Sequence, residues 1–170
     1  MPNQKFLDAP SFVEHIVAKI SDQYQNVPFE WAVAFRLLRQ VSWRGMETFD
    51  SILKTWDITA VEYLILGALY GAEDYTLCVT ELPERVNERS SYIGRMINQL
   101  EKKGVVARGV AIDRRKGNVT LTDAGADLLK ELVPPLSAMV EDQVQKFSTA
   151  ELAELAELVR LLKKMFDTYP

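Results

Sequence analysis

The sequence predicts a mostly α-helical chain built around a winged helix-turn-helix. It has a two-stranded β-hairpin wing and a helical dimerisation region formed by N- and C-terminal helices. Three observations predict this. Short helical segments follow one another between Thr59 and Gly104. Two β-prone runs, "VVARGVAI" and "NVTLT", then flank a basic tip. Apolar stripes with a 3.5-residue period stand at both ends of the chain.

Taken in order, "SFVEHIVAKISDQY" (Ser11 to Tyr24) reads as an amphipathic helix. A long helix follows in "VPFEWAVAFRLLRQVSWRGMETFDSILKTWDIT". Pro28 suits its first turn, where a missing N–H breaks no bond. Trp31, Phe35, Leu38, Ser42, Gly45, Phe49, Ile52 and Trp56 alternate steps of four and three, which makes a seam for lengthwise helix packing. Gly45 weakens the helix by roughly 1 kcal/mol against alanine, so a bend or a close contact is expected there.

Thr59 with Glu62 forms a capping box that opens "AVEYLILGALYG", a helix apolar nearly all round and stopped by Gly71. A short helix starts after Thr80, with Pro83 in its first turn. The next, "SSYIGRMINQLEKKG", sets Ile93, Met96 (or Ile97) and Leu100 on one face and ends at Gly104. Thr122 caps the helix after the hairpin, and Asp123 sits at the positive end of its dipole. The Pro134-Pro135 pair predicts a kink in that helix. Ser148 and Glu151 form another capping box, before a stripe of Leu152, Leu155, Val159, Leu162 and Phe166.

At 170 residues the chain is long enough to bury a core as one domain. Residues 11–57 and 123–167 read as dimerisation helices around a winged helix-turn-helix at 59–122. Hydrophobic content of 48% and charged content of 26% fit a soluble globular chain. No apolar run approaches the ~20 residues that span a bilayer. The N-terminus carries acids and lacks a long apolar core, so it does not read as a signal peptide. A cytoplasmic protein without a membrane partner is expected. His15 and Cys78, the one histidine and one cysteine, lie far apart, and neither a glycine-rich phosphate loop nor a zinc-ligand cluster accompanies them. No catalysis, no cofactor and no metal are therefore expected. Cys78, beside Leu77 and Val79, reads as a buried, inert thiol.

A net charge of −4 argues on its face against a polyanionic partner. The charge is segregated, however. Between Glu84 and Lys116 nine basic residues meet four acids, so that stretch is +5 and the remainder −9. Concentrated positive charge of this kind is the footprint of a phosphate-binding surface. The two short helices, joined by "RVNERS", are spaced as in a helix-turn-helix. The second would offer Arg89, Ser90, Ser91, Tyr92 and Arg95 to base edges and phosphates of double-stranded DNA, with its own N-terminus favouring an anion. Arg114, Arg115 and Lys116 at the hairpin tip would reach phosphates or a narrow minor groove. Asp113, two residues from Arg115 on an extended strand, would orient its guanidinium.

The stretch from "TELPERVNERSSYIGRMINQLEKKGVV" to "DRRKGNVTLTDAG" resembles the core of the MarR family of winged-helix transcriptional regulators. "INQLEKKGVV", followed by "DRR" a fixed distance before "LTDAG", carries the resemblance. It extends more loosely from about Pro28 to the C-terminus. Gly94 stands where the family commonly has a DNA-facing serine or threonine, and Arg89 replaces the usual capping serine. The resemblance implies a homodimer on a pseudo-palindromic operator, with repression relieved by a small aromatic or phenolic effector.

Each sharp reading has a plainer rival. The "DRRK" tip alone would be a solvated turn; next to a helix-turn-helix, DNA contact is the better reading. Arg95 could instead pair with Glu88 or Glu101. The stripes could close an intramolecular bundle, but their place at opposite ends of the chain favours a homodimer. His15, Trp31, Arg36, Arg39 and Trp43 could hold an aromatic anion. Residue by residue, core aromatics and surface arginines explain them better, so the effector rests on the resemblance. A winged-helix module that binds protein without DNA is the alternative function, and it would show little salt-sensitive duplex affinity.

Overall fold

The computed structural model describes residues 10–24, 26–109 and 117–168. The chain divides into two compact units, Met1–Ala60 and Val61–Pro170.

In the first unit, α1 (Pro10–Gln23) packs on α2 (Phe29–Leu53). Val13 and Val17, one turn apart on α1, are buried with Val33 of α2, and Ala32 and Leu37 pack beside them. Pro28 is extended and caps α2 from outside, as a residue without an N–H can. The helix stops at Leu53 and tightens into a 3-10 turn, Lys54–Trp56, closed by left-handed Asp57. It is therefore shorter than the predicted run to Thr59. Among the described residues of this unit, nothing lies within 4 Å of where a Gly45 Cβ would stand.

The second unit takes in all but the first residue of α3 (Ala60–Tyr70), whose Ile65, Leu66 and Leu69 are fully buried. A 3-10 turn leads into β1 (Thr76–Cys78), then come α4 (Leu82–Arg85) and α5 (Ser90–Lys102). Asn87 takes the left-handed conformation in the turn between these two helices, which asparagine tolerates better than most residues. Next are β2 (Val106–Arg108) and β3 (Asn118–Leu121), then α6 (Asp123–Val144) and α7 (Thr149–Phe166).

Within the described residues the predicted hairpin strands form over Val106–Arg108 and Asn118–Leu121, and the structure adds a third. β1 pairs antiparallel with β3, giving the order β1-β3-β2, with Thr76 opposite Thr120 and Leu77 opposite Val119. The Thr76 and Thr120 hydroxyls are hydrogen-bonded at 2.8 Å. The caps at Thr122 and Ser148 are as expected. Thr122 Oγ1 accepts from the Gly125 N–H at 3.1 Å, and Ser148 with Glu151 makes both bonds of its capping box. Both prolines sit inside α6, which continues to Val144.

One junction fixes the helix-turn-helix. Gly104, at a φ of +74°, turns the chain out of α5. Its carbonyl accepts from the Thr122 hydroxyl, and the Val105 carbonyl accepts from the Thr122 N–H. A Cβ on Gly125 would lie 2.2 Å from the Val105 carbonyl oxygen, so only glycine lets α6 start this close to β2.

Candidate nucleic-acid interface

The exposed side of α5 follows from its buried one. Ile93, Met96, Ile97 and Leu100 all point into the core, which leaves Ser90, Ser91 and Arg95 exposed and Tyr92 half-buried. Arg89 is the extended N-cap and makes no side-chain cap bond. Its carbonyl accepts from the Tyr92 and Ile93 N–H groups. The first N–H groups of α5 point out of the helix end, where an anion is favoured.

Around this end lies a concave surface of about 680 Å³, lined among others by Thr80, Ser90, Ser91, Gly94, Arg95 and Asn98. Nothing stands within 4 Å of a Cβ built on Gly94, so its departure from the family pattern leaves an open notch. The Arg95 guanidinium lies 5.3 Å from the centre of the Tyr92 ring, a cation–π arrangement. Among the described residues neither Glu88 nor Glu101 pairs with Arg95; Glu101 pairs with Arg108 instead.

The structure thus brings Arg89, Ser90, Ser91, Tyr92 and Arg95 together. Asp113, Arg114, Arg115 and Lys116 lie outside the described residues. The charge count needs correcting too, because among the described residues three of its cations are engaged with carboxylates. Lys103 Nζ is 3.1 Å from Glu62, a carboxylate only 1% exposed. Arg108 meets Glu101 at 3.4 Å, and Arg85 meets Glu81 at 3.6 Å. Glu62 and Glu81 lie outside the counted stretch, so the +5 overstated the charge available to a ligand.

His15 on α1, and Trp31, Arg36, Arg39 and Trp43 on α2, are all exposed. Arg36, Arg39 and Trp43 share a side of α2 by their spacing. A hollow of about 410 Å³ that the sequence reading missed lies elsewhere, lined by Tyr63, Gly67, Tyr70, Leu129, Lys130 and Val133. Its signal was two tyrosines seven apart on α3 with a glycine between them. The Lys130 ammonium bonds Asp127 at 2.6 Å, which holds its pKa above the usual lysine range.

Cys78 is half-exposed, contrary to the expected buried thiol, and β1 is one of the two outer strands of the sheet. Its Sγ lies 3.1 Å from the Thr80 hydroxyl. Hydrogen bonds from the Thr80 side chain, then its backbone, lower the thiol pKa. Among the described residues no helix is long and apolar enough to cross a membrane.

A short helix, a tight turn and a second helix leading straight into a small antiparallel sheet define a winged helix-turn-helix protein. Its fold is similar to that of solved structures of MarR-family transcriptional regulators. The chain superposes with a TM-score of 0.68 on Sco3205, a MarR family regulator from Streptomyces coelicolor solved in complex with DNA. The two are 22% identical, over 83% of this chain and 90% of that one. The TM-score is 0.66 for BpsR of Bordetella bronchiseptica, a structure that concerns regulation of DNA binding by 6-hydroxynicotinic acid. Identity there is 23%, over 76% of this chain and 98% of that one. In sequence, the transcriptional repressor MprA of Escherichia coli is 23% identical over 156 residues, 91% of this chain and 89% of its own. No protein-family model matches the chain.

Proposed function

We propose that the chain is a sequence-specific, double-stranded DNA-binding transcriptional regulator and a repressor, acting as a homodimer on a pseudo-palindromic operator. The observation that carries this is the exposed start of α5. Ser90, Ser91 and Arg95 are gathered around a concave surface while the opposite side of the helix is wholly buried. Hydroxyls there read base edges, and cations, Arg95 among them, neutralise phosphates. The DNA complex of Sco3205 and the repressor MprA support the same reading.

Dimerisation is supported by Trp31, Phe35 and Trp43 on α2 and by Leu155, Val159 and Phe166 of the apolar stripe of α7, all exposed in one chain. The effector is a small aromatic acid or phenol that lowers operator affinity. Support comes from the molecule named for BpsR and from the hollow beside Tyr63, Tyr70 and Lys130, which offers aromatic walls and a cation. If effector and DNA are coupled, each weakens the other equally.

Selection of bound fragments from genomic DNA, followed by gel-shift titration, tests the reading. Enrichment of a common two-fold motif is expected; fragments with no shared sequence would contradict specific recognition. On the selected operator, Arg115→Ala should weaken binding by ~1–3 kcal/mol with the fold intact. An unchanged gel shift would remove Arg115 from the interface.

A further inference from the structure

We propose that Arg108 is a positioning residue: it locks the wing strand to the recognition helix and sharpens operator choice without contacting phosphate. The inference rests on the DNA-binding reading above.

Arg108 is the last residue of β2, and its side chain is 15% exposed. Its guanidinium donates from Nη2 to Asn98 Oδ1 at 2.7 Å, and its Nε lies 3.4 Å from Glu101 Oε2. Asn98 and Glu101 are three apart on α5, so they are neighbours on one side of that helix. One planar group therefore spans two side chains and ties the third turn of α5 to the strand beside it.

The strand is itself anchored. Arg108 stands opposite Val119 in the sheet, and the Gly109 N–H donates to the Asn118 carbonyl at 2.9 Å. Arg108 also borders the concave surface that Ser90, Ser91 and Arg95 share. Fixing it fixes the angle at which those three side chains meet a duplex. A phosphate contact would need the guanidinium to leave Glu101, whose carboxylate already balances its charge. The fork geometry matters, because lysine keeps the charge but cannot reach both partners at once.

The test uses full-length wild type, Arg108→Lys, Arg108→Met and Arg95→Met, with Tm measured for each. Affinities are taken for the selected operator and for a random duplex of equal length, across a salt series. Arg108→Lys should lose roughly tenfold or more in operator affinity, as for a charge-assisted hydrogen bond. Its random-duplex affinity and its Tm should stay near wild type. Arg108→Met should leave the salt slope unchanged, whereas Arg95→Met should reduce it by about 0.9, the value of one phosphate contact.

Two results overturn the proposal. If Arg108→Lys matches wild type while Arg108→Met flattens the slope, Arg108 is a phosphate contact. If operator and random affinities fall together with Tm, its role is only to hold the fold. A wild-type chain that binds no duplex at any salt removes the DNA-binding reading and this inference with it. That outcome is recognised because Arg95→Met then changes nothing either.

Discussion

Helices α5 and α7 carry the same kind of sequence, apolar positions three and four apart among charges, yet their apolar sides end in opposite environments. On α5, Ile93, Met96, Ile97 and Leu100 are all buried. On α7 no residue is buried, and Leu155, Val159 and Phe166 are exposed, Phe166 by 82%. Periodicity states that a face will be covered, but not by what. The core of its own unit covers the face of α5. The face of α7 leaves apolar surface in water, at a cost of about 25 cal/mol per Å² that a second copy would relieve. The difference separates a helix whose apolar face its own unit covers from one whose apolar face stays exposed.

The largest expected effect lies on the finished side. Ile97→Ala should cost about 2–5 kcal/mol in denaturant unfolding, by a loss independent of protein concentration. A penalty that shrank as the protein was concentrated would mean that α5 also depends on a partner. On α7, Val159→Asp should convert dimer to monomer in sedimentation at concentrations where wild type is paired, while Ile97 and its neighbours stay protected from hydrogen exchange. An unchanged mass would place the interface elsewhere.

A smaller effect is expected where α6 meets β2. Gly125→Ala should destabilise by about 1–3 kcal/mol, since the added carbon collides with a backbone carbonyl rather than a movable side chain. Equal stability would show that the junction can relax. The smallest effect belongs to the start of α7, where Ser148→Ala should lower Tm by a few degrees. Backbone and then side-chain hydrogen bonds from Ser148 hold the Glu151 carboxyl below its usual pKa. That contribution is present above the unfolded carboxyl pKa and is lost as pH falls through the folded one. The Ser148→Ala deficit should therefore shrink in acid; a deficit that grew would contradict the capping box.

Most helices were legible because each rests on local signals. Thr122 and Ser148 cap by bonds that reach three residues, and Gly104 ends α5 through its own backbone freedom. β1 was not legible. It is three residues long, and its signal is the pairing of Thr76 with Thr120, 44 residues on. In the site, the exposed group on α5 could be read because the buried face of an amphipathic helix dictates the other. The roles of Lys103 and Arg108 could not. A charge count treats every cation as available, whereas Glu62, 41 residues before Lys103, is brought to it only by the fold. The exposure of Cys78 was misread for the same reason, since apolar neighbours in sequence do not fix which side of an outer strand is covered.

The most direct measurement is the affinity of the wild-type chain for its selected operator duplex across a series of salt concentrations. If phosphates are neutralised by cations gathered about α5, log affinity falls linearly and steeply with log salt, with a slope of about −0.9 for each phosphate engaged. Affinity that stays flat with salt, or equals that for a single strand of the same sequence, would contradict a duplex-reading surface at this end of the molecule.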